Sequence, residues 1–272
     1  MYPFNYQRAK SVAEASALIS SNADAKLLAG GQSLVATLKL RLSRPSDLVD
    51  LGSIAELRGI KVEDGTVTIG AMTRHAEVAA SPAVRQAIPA LAGLAESIGD
   101  RQVRNMGTLG GSVAHNDPSA DYPAAVLALG ATIHTNRRAI AADNFFKGMY
   151  ETALEAGEII TSVSFPRPKR AAYMKIKNPA SRYATVGVFV ADSGQGVRVA
   201  VTGAAPCVFR IAEMEKALSS KFATESVANI TVPEKNLNSD IHAKADYRAH
   251  LITVMARRAV EAALHPALHP VE

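Results

Sequence analysis

The chain has 272 residues, of which 48% are hydrophobic and 20% charged, with a formal net charge of +5 and a single cysteine. This composition is that of a globular protein with more than one folding unit, and it excludes both an intrachain disulfide and a cluster of cysteine thiolates that holds iron and sulfur. Lys and Arg are interspersed with acidic residues, which argues against nucleic-acid binding.

The sequence contains no secretory signal and no stretch of roughly 18 apolar residues, so we expect a cytoplasmic protein. Its first part predicts alternating helices and strands. Ser11 and Glu14 have the spacing of a capping box at a helix start. In order, the predicted elements are a helix at 11–20, a strand at 26–29, a helix at 34–42 and a strand at 47–51. The pair Gly30-Gly31 therefore lies at a strand-to-helix turn.

The middle of the chain predicts a hairpin followed by helices. Asp64-Gly65 between two alternating runs is a strong hairpin signal. Thr73 and Ser81 are candidate helix caps, and Asp117 before Pro118 is interpreted as another. The predicted elements are strands at 60–63 and 66–69, helices at 73–80 and 82–99, a loop from Asp100 to Asp117, a helix at 119–129, and strands at 131–135 and 158–165.

The run Pro166-Arg167-Pro168 ends the last of these strands and is a candidate domain boundary. The predicted elements beyond it are strands at 173–177, 185–191 and 197–202 and helices at 210–219 and 244–263. Gly194-Gln195-Gly196 lies between two strands and is interpreted as a hairpin turn. Strands followed by helices indicate an α+β module.

Two short segments with paired glycines stand out. The first glycine segment is Ala29-Gly30-Gly31-Gln32-Ser33, and the second glycine segment is Thr108-Leu109-Gly110-Gly111-Ser112. Paired glycines let a backbone approach a ligand closely, and successive N–H groups together with Ser and Thr hydroxyls bind phosphate oxygens. Taken singly, each segment is more often a tight turn. Because the pattern nearly repeats, a site for two phosphates and a pair of tight turns are equally supported.

Other catalytic and nucleotide-binding motifs are missing from the sequence. No Gly-x-Gly-x-x-Gly follows a strand and no P-loop motif occurs, which argues against a Rossmann dinucleotide fold and a P-loop NTPase. No Gly-x-Ser-x-Gly elbow is present, and nothing suggests a catalytic partner for Cys207. His265 and His269 are four apart, but a proline follows each, so we expect no metal site there. Asp121 lies one turn into a predicted helix, where its carboxylate could accept hydrogen bonds from sugar hydroxyls.

Several runs match one known family. They are Pro3-Phe4-x-Tyr6, Ala29-Gly30-Gly31-Gln32-Ser33-Leu34, Ile69-Gly70-Ala71-Met72-Thr73, Gln102-Val103-Arg104-Asn105-x-Gly107-Thr108-Leu109-Gly110-Gly111-Ser112, Asp117-Pro118-x-x-Asp121-x-Pro123, Phe145-Phe146-x-Gly148 and Tyr247-Arg248. With them the chain resembles, nearly end to end, the FAD-binding medium subunit of carbon monoxide dehydrogenase and related bacterial molybdenum hydroxylases, which is homologous to the flavin domain of xanthine dehydrogenase.

The resemblance implies an α+β protein with a FAD-binding fold of the vanillyl-alcohol oxidase or p-cresol methylhydroxylase (PCMH/VAO) type. This fold has two α/β subdomains, here residues 1–57 and 58–168. A small C-terminal α+β domain with an antiparallel sheet and helices, like that of the carbon monoxide dehydrogenase flavoprotein, then occupies residues 169–272.

The resemblance also implies a set of cofactor-binding residues. The two glycine segments would hold the pyrophosphate of FAD, Asp121 would contact the sugar-like chain of the flavin, and Tyr183 would cover one face of the isoalloxazine. The full implied set is Ala29, Gly30, Gly31, Gln32, Ser33, Leu34, Ile98, Thr108, Leu109, Gly110, Gly111, Ser112, Asp121, Ile160, Lys177 and Tyr183. No residue of this chain is implied as catalytic or as a metal ligand.

In the implied mechanism the chain carries FAD, while molybdopterin and [2Fe-2S] clusters belong to partner subunits. A large molybdopterin subunit would hydroxylate the substrate, and a small iron-sulfur subunit would pass the electrons on, in a dimer of heterotrimers. FAD would collect them for an external acceptor such as quinone, cytochrome, NAD or oxygen. Gln32 stands where carbon monoxide dehydrogenases tend to have histidine, which argues against carbon monoxide as the substrate, and Ala9 stands where many relatives have proline. The substrate is chosen on a partner chain, so the resemblance does not name it.

Two other functions remain open on the sequence. One is a stand-alone flavin oxidase of the same fold, although such enzymes usually carry a larger substrate domain than the residues after Pro168 provide. The other is a phosphate- or nucleotide-binding module without redox function. Co-purification of partner chains would argue against the stand-alone oxidase, and a visible flavin spectrum would exclude the module without redox function.

Overall fold

The computed structural model describes residues 1–266 and arranges them in three units, each built on its own sheet. His269 lies outside the described residues. None of the helices within residues 1–266 combines the length and the apolar character needed to cross a membrane. The same residues contain no group of three or more His, Cys, Asp or Glu side chains placed to hold a metal ion.

The first unit is a parallel sheet with helices in its crossovers. It consists of β1 (Asn5–Arg8), α1 (Val12–Ser20), β2 (Lys26–Leu28), α2 (Leu34–Lys39) and β3 (Asp47–Asp50), followed by a 3-10 turn (Ala55–Leu57). The strand order is β1-β3-β2, and both pairings are parallel. Parallel neighbours require crossover connections, which α1 and α2 supply. As predicted, Ser11 caps α1, because its Oγ accepts from the backbone N–H of Glu14 at 3.1 Å.

The second unit is an antiparallel sheet flanked by short helices. Its elements are β4 (Ile60–Glu63), β5 (Thr66–Gly70), α3 (His75–Ala80), α4 (Pro82–Ala87), α5 (Pro89–Glu96), α6 (Arg101–Met106), α7 (Leu109–His115), α8 (Tyr122–Ala128), β6 (Thr132–Thr135), β7 (Ala139–Ala141), a 3-10 turn (Ala142–Asn144), β8 (Phe146–Gly148), β9 (Glu151–Thr152) and β10 (Ile160–Pro166). The sheet order is β4-β5-β10-β6-β7, and β8 and β9 form a separate ribbon. The hairpin predicted around Asp64-Gly65 is confirmed as β4-β5.

The third unit places one sheet between the second unit and a long helix. Its elements are β11 (Arg170–Lys177), β12 (Ala184–Asp192), β13 (Val197–Thr202), β14 (Phe209–Arg210), α9 (Ala212–Ser220), α10 (Glu225–Ala228) and α11 (Ala245–Leu264). Side chains alternate between the two faces of a strand. Phe189 and Ala191 therefore join the core of the second unit, whereas Val188 and Val190 join the core under α11. This two-sided packing fixes the β11-β12 connection against the second unit. The predicted turn at Gly194-Gln195-Gly196 is confirmed between β12 and β13.

The predicted helix over residues 82–99 is wrong as a single element. It is broken into α4 and α5 at Ile88, whose backbone has φ −141° and ψ 76°. A residue that precedes proline is pushed out of the helical region by the proline ring. Pro89 then opens α5, where its missing N–H has no helical partner to lose.

The predicted loop over residues 100–117 is also wrong, because most of it forms α6 and α7. Asp100 caps α6 by accepting from the backbone N–H of Val103 at 2.8 Å. Thr108 caps α7 by accepting from that of Gly111 at 3.2 Å. Most helical stability comes from tertiary packing of one face, and Leu109 and Val113 of α7 are fully buried. Burial therefore stabilises helix where the glycine content predicts loop.

Two predicted caps are wrong as well. Arg74, rather than Thr73, precedes α3, and the Thr73 hydroxyl donates to the carbonyl of Gly59 at 3.1 Å. Asp117 accepts from the backbone N–H of Ser119 at 2.8 Å, which closes a local turn, while α8 begins only at Tyr122. Asp and Asn side chains often form such turns in place of a helix cap.

Candidate cofactor-binding site

A cavity of about 560 Å³ lies where the three units meet. This volume is within the range of small-molecule and cofactor sites. Most of the residues implied by the sequence line it, namely Ala29, Gly30, Gly31, Gln32, Ser33, Leu34, Ile98, Thr108, Gly110, Gly111, Ser112, Asp121, Ile160 and Tyr183. The exceptions are Leu109, which is fully buried in the core, and Lys177, which is exposed at the end of β11. The fold thus brings together residues that are up to about 150 positions apart.

The first glycine segment forms the turn from β2 into α2. Among residues 1–266, no protein acceptor is found for the backbone N–H groups of Gly30 to Leu34. Gly31 has φ +71°, in the left-handed region that favours glycine. Successive N–H groups around such a residue form a concavity that binds anions. This wall of the cavity therefore offers a row of unused hydrogen-bond donors.

The second glycine segment is the cap and first turn of α7, and its N–H groups are already in use. Leu109 donates to the carbonyl of Thr73 at 3.1 Å, and Gly110 donates to that of Ala71 at 2.8 Å. Gly111 donates to the Thr108 hydroxyl, and Ser112 donates to the Thr108 carbonyl at 3.1 Å. Three of the four N–H groups that a helix start normally leaves free, those of Leu109, Gly110 and Gly111, are thus satisfied by protein. What this segment presents to the cavity is mainly a close wall.

The glycines of the two segments allow close packing of backbone on backbone. A Cβ added to Gly30 would overlap the backbone of Met106 and Gly107, and one added to Gly110 would lie 2.5 Å from the Cβ of Ala71. A Cβ on Gly111 would lie 3.4 Å from the Cβ of Ala29, so the two segments are neighbours across the cavity wall. Gly30 and Gly110 are therefore required by the protein's own packing, whether or not a ligand is bound.

Asp121 is held at the cavity wall by two buried partners. The Nζ of Lys175 and the hydroxyl of Tyr173 both donate to its Oδ1, at 2.8 and 2.5 Å. Burial raises the pKa of the Asp121 carboxyl, an effect that the Lys175 ammonium and the Tyr173 hydroxyl oppose. No described residue donates to Oδ2. The cavity-lining carboxylate is therefore fixed in orientation and keeps one oxygen available as an acceptor.

Tyr183 reaches the cavity from the third unit, at the end of the β11-β12 connection. The Oδ1 of Asn178 accepts from the N–H groups of Ala180 and Ser181 at 3.0 and 3.1 Å, which fixes the turn. Lys175 also donates to the carbonyl of Arg182 at 3.1 Å. Lys175 thus ties this connection to Asp121, although it does not itself line the cavity.

The sequence interpretation did not identify the role of Lys175 and selected Lys177 instead. Side chains at 173, 175 and 177 share a face in a regular strand, but the register shifts between Ile176 and Lys177, which marks a bulge. The alternation of Tyr173 and Lys175 along the predicted strand was the sequence signal that could have identified Lys175. Two further polar residues of the wall, His75 and Glu158, carried no sequence signal. Glu158 accepts from the Arg138 guanidinium, which lowers its pKa to about 2.

The cavity as a whole suits an elongated ligand with a pyrophosphate. The free N–H groups of residues 30–34 match anionic oxygens, and the free oxygen of Asp121 matches a hydroxyl. Ile98, Val103 and Ile160 provide apolar surface for a ring system. The residues present therefore fit a flavin dinucleotide in the chemistry of their donors, acceptors and apolar contacts.

Known families match the chain over nearly its whole length. The sequence profile of the FAD binding domain in molybdopterin dehydrogenase matches residues 2–168, and that of the CO dehydrogenase flavoprotein C-terminal domain matches residues 171–263. The carbon monoxide dehydrogenase medium chain of Hydrogenophaga pseudoflava is 38% identical over 96% of each chain. The nicotine 6-hydroxylase medium subunit of Paenarthrobacter nicotinovorans is 36% identical over 94% of this chain and 95% of its own.

A solved structure also resembles this chain over nearly its whole length. The carbon monoxide dehydrogenase of Hydrogenophaga pseudoflava that lacks the Mo-pyranopterin moiety aligns with a TM-score of 0.88 and 39% identity. The alignment covers 97% of this chain and 99% of that one. The α+β fold expected from the sequence, a FAD-binding part followed by a C-terminal domain, is therefore confirmed.

Proposed function

This chain belongs to the family of FAD-binding medium subunits of molybdenum hydroxylases, and on that premise we propose that it relays electrons from the [2Fe-2S] clusters of a partner subunit to an external acceptor. It is an oxidoreductase subunit with FAD as its cofactor. Molybdopterin and iron-sulfur clusters are carried by other subunits in this family. The observation that carries the proposal is a cavity with unused N–H donors in a chain whose single cysteine cannot ligate a cluster.

Bound FAD supplies the redox chemistry, and the protein supplies binding and orientation. The N–H groups of residues 30–34 hold the pyrophosphate, with the hydroxyls of Ser33 and Ser112 as further donors. Asp121 accepts a hydrogen bond from a hydroxyl of the sugar-like chain through its free oxygen. Support comes from the rigid placement of this carboxylate by Lys175 and Tyr173, which also keeps it desolvated.

Ile98, Ile160 and Tyr183 contact the ring system in this proposal. Tyr183 covers one face of the ring and restricts access of water from the side of the third unit. Leu109 contributes through the core behind the second glycine segment. Lys177 has no contact role in the proposed site. Lys175 contributes instead, by donating to Asp121 and to the carbonyl of Arg182 in the β11-β12 connection.

The domain division and the assembly are also part of the proposal. Residues 1–57 and 58–168 are the two FAD-binding subdomains, and residues 169–272 form the C-terminal domain. The partners are a small iron-sulfur subunit and a large molybdopterin subunit, in a dimer of heterotrimers. Support comes from relatives named as medium chains of dehydrogenases, which imply further subunits.

The relay is tested by mixing experiments under anaerobic conditions. The FAD-loaded single chain is mixed with a chemically reduced iron-sulfur subunit from the co-expressed complex, freed of excess reductant. We expect rapid bleaching of the flavin absorbance, and no bleaching when organic substrates are added to the single chain alone. Rapid reduction of the single chain by an organic substrate would instead identify a stand-alone flavin oxidase.

A matched variant isolates the role of this subunit within the complex. Gly111→Val is expected to assemble with the partners but to lose FAD. Such a complex should still reduce its iron-sulfur clusters with substrate, while electron transfer to the external acceptor stops. Continued transfer to the acceptor without bound FAD would contradict the relay.

A further inference from the structure

His75 is a buried polar residue of the cavity wall with no role in the binding contacts proposed for FAD. It is the first residue of α3 and is 5% exposed. Its backbone N–H donates to the carbonyl of Gly107 at 3.0 Å, which joins α3 to the stretch just before the second glycine segment. A polar side chain in such a place normally has hydrogen-bond partners.

The imidazole of His75 has none among residues 1–266. Its Nδ1 is fully buried without a partner. No described residue hydrogen-bonds to Nε2, which lies against Gly107, where an added Cβ would be 2.6 Å from it. The ring packs on Tyr122, with 5.3 Å between the ring centroids. Both Gly107 and His75 line the cavity, so Nε2 is the ring nitrogen on the cavity side.

Burial and the nearby Arg104 guanidinium lower the pKa of His75 to about 4. The imidazole is therefore neutral at pH 7 and carries one N–H. Buried N–H groups without an acceptor are rarer in proteins than unfilled acceptor positions. Since no described residue accepts a hydrogen bond from Nδ1, the tautomer is assigned with the hydrogen on Nε2.

We propose that His75 is a further cofactor-binding residue whose Nε2–H donates a hydrogen bond to FAD. The inference rests on the proposed function, in which this cavity holds FAD. The acceptor is an oxygen or a ring nitrogen of the cofactor. Gly107 is required beside it because any side chain there would displace the imidazole.

A structural role would have a different signature. The hydroxyl of Tyr122 is a second buried group without a partner, and a buried water could join it to Nδ1 of His75. In that case Tyr122→Phe and His75→Leu would lower the stability of the FAD-free chain alike and leave FAD affinity unchanged.

The test measures FAD affinity by flavin fluorescence on the full chain stripped of FAD, with the thermal unfolding of each stripped variant as control. Gln places an amide N–H near the position of Nε2, whereas Asn reaches only that of Nδ1. We expect His75→Leu and His75→Asn to weaken FAD binding by about tenfold, the loss of one buried hydrogen bond. The FAD affinity of His75→Gln should stay within about twofold of wild type, because Gln retains a donor near the Nε2 position. That of Tyr122→Phe should also stay within about twofold, because the Tyr122 hydroxyl supplies no hydrogen bond to FAD.

Two results overturn the inference. Wild-type FAD affinity in a folded His75→Leu variant overturns this inference and leaves the proposed function intact. An equal loss of FAD affinity in the His75→Gln and His75→Asn variants does the same. A wild-type chain that does not bind FAD overturns the proposed function, and this inference with it.

Discussion

The two glycine segments look alike in sequence and differ in how their backbone is used. Gly30 to Leu34 have no protein acceptors for their N–H groups among residues 1–266, whereas the N–H groups of residues 109–112 are all bonded to protein. The first segment ends a strand of a parallel sheet, and the second begins a helix that packs on β5. A helix start is a common anion site only while its N–H groups stay free.

The difference teaches that a repeated motif need not have a repeated function. In the proposed site, the first glycine segment binds phosphate directly, and the second mainly shapes the wall that the first faces. Their glycines also differ, because Gly31 occupies the left-handed region whereas Gly111 is helical.

The largest effect is expected where the first glycine segment packs against the end of α6. Gly30→Val would place a side chain into the backbone of Met106 and Gly107, which cannot move without displacing α6. We expect a loss of about 3 kcal/mol in the free energy of unfolding, and no FAD binding. Gly196→Val is the control, since a Cβ there meets nothing within 4 Å. Urea unfolding measures both, and equal stability of the two variants would contradict the packing.

His75 links a titratable group to Gly107, just before the second glycine segment. The folded-state pKa of His75 is about 4 against 6.5 for the free side chain, so the unfolded chain binds more protons between these values. Stability should therefore fall as pH drops from 6.5 to 4 and be independent of this group above 6.5. The full contribution is up to about 3 kcal/mol.

Urea unfolding of the FAD-free chain across this range measures the effect against His75→Gln, which cannot titrate. The wild type should lose stability more steeply than the variant on acidification. Parallel curves would show that His75 is not held neutral by the fold.

Gly111→Val is expected to lower FAD affinity by about a hundredfold or more, because a branched side chain would fill the wall between Thr108 and Ala29. The fold should persist, since the backbone there is helical. Gly111→Ala is the matched control and should keep most of the affinity. Flavin content and circular dichroism report the two properties, and a soluble, folded Val variant with unchanged flavin content would exclude this wall from the site.

The smallest effect compares the two hydroxyls. Ser33→Ala should weaken FAD binding by about tenfold, because it removes a donor from the segment with free N–H groups. Ser112→Ala should weaken FAD binding less, because the N–H groups of its segment are bonded to protein and the segment mainly lines the cavity. The two affinities are measured in parallel by fluorescence titration. A larger loss at Ser112 would reverse the assignment of the segments.

Elements with a clear local pattern were predictable from the sequence. The β4-β5 hairpin, the strands β11 to β13 and the long helix α11 all follow from alternation, turn residues or helical periodicity. The two helices at 101–115 were not, because glycine and asparagine disfavour helix locally. Burial of Leu109 and Val113 stabilises α7, and the Asp100 cap stabilises the start of α6.

Most of the cavity wall could be named from the motifs, but its polar contacts could not. The pairing of Asp121 with Lys175 joins residues 54 apart through a bulged strand. The low pKa of His75 comes from its burial, where the ring packs on Tyr122, and from the charge of Arg104. No local sequence pattern indicates either contribution. Such contacts depend on how the three units meet, and that lies beyond local sequence.

The central claim is that the first glycine segment, and not the second, binds the pyrophosphate through its backbone. Backbone amide hydrogen exchange on the chain with and without FAD tests it directly. We expect the amides of residues 30–34 to exchange rapidly without FAD and to become protected when it binds, while those of residues 109–112 are protected in both states. FAD-dependent protection at 109–112 with no change at 30–34 would contradict the claim.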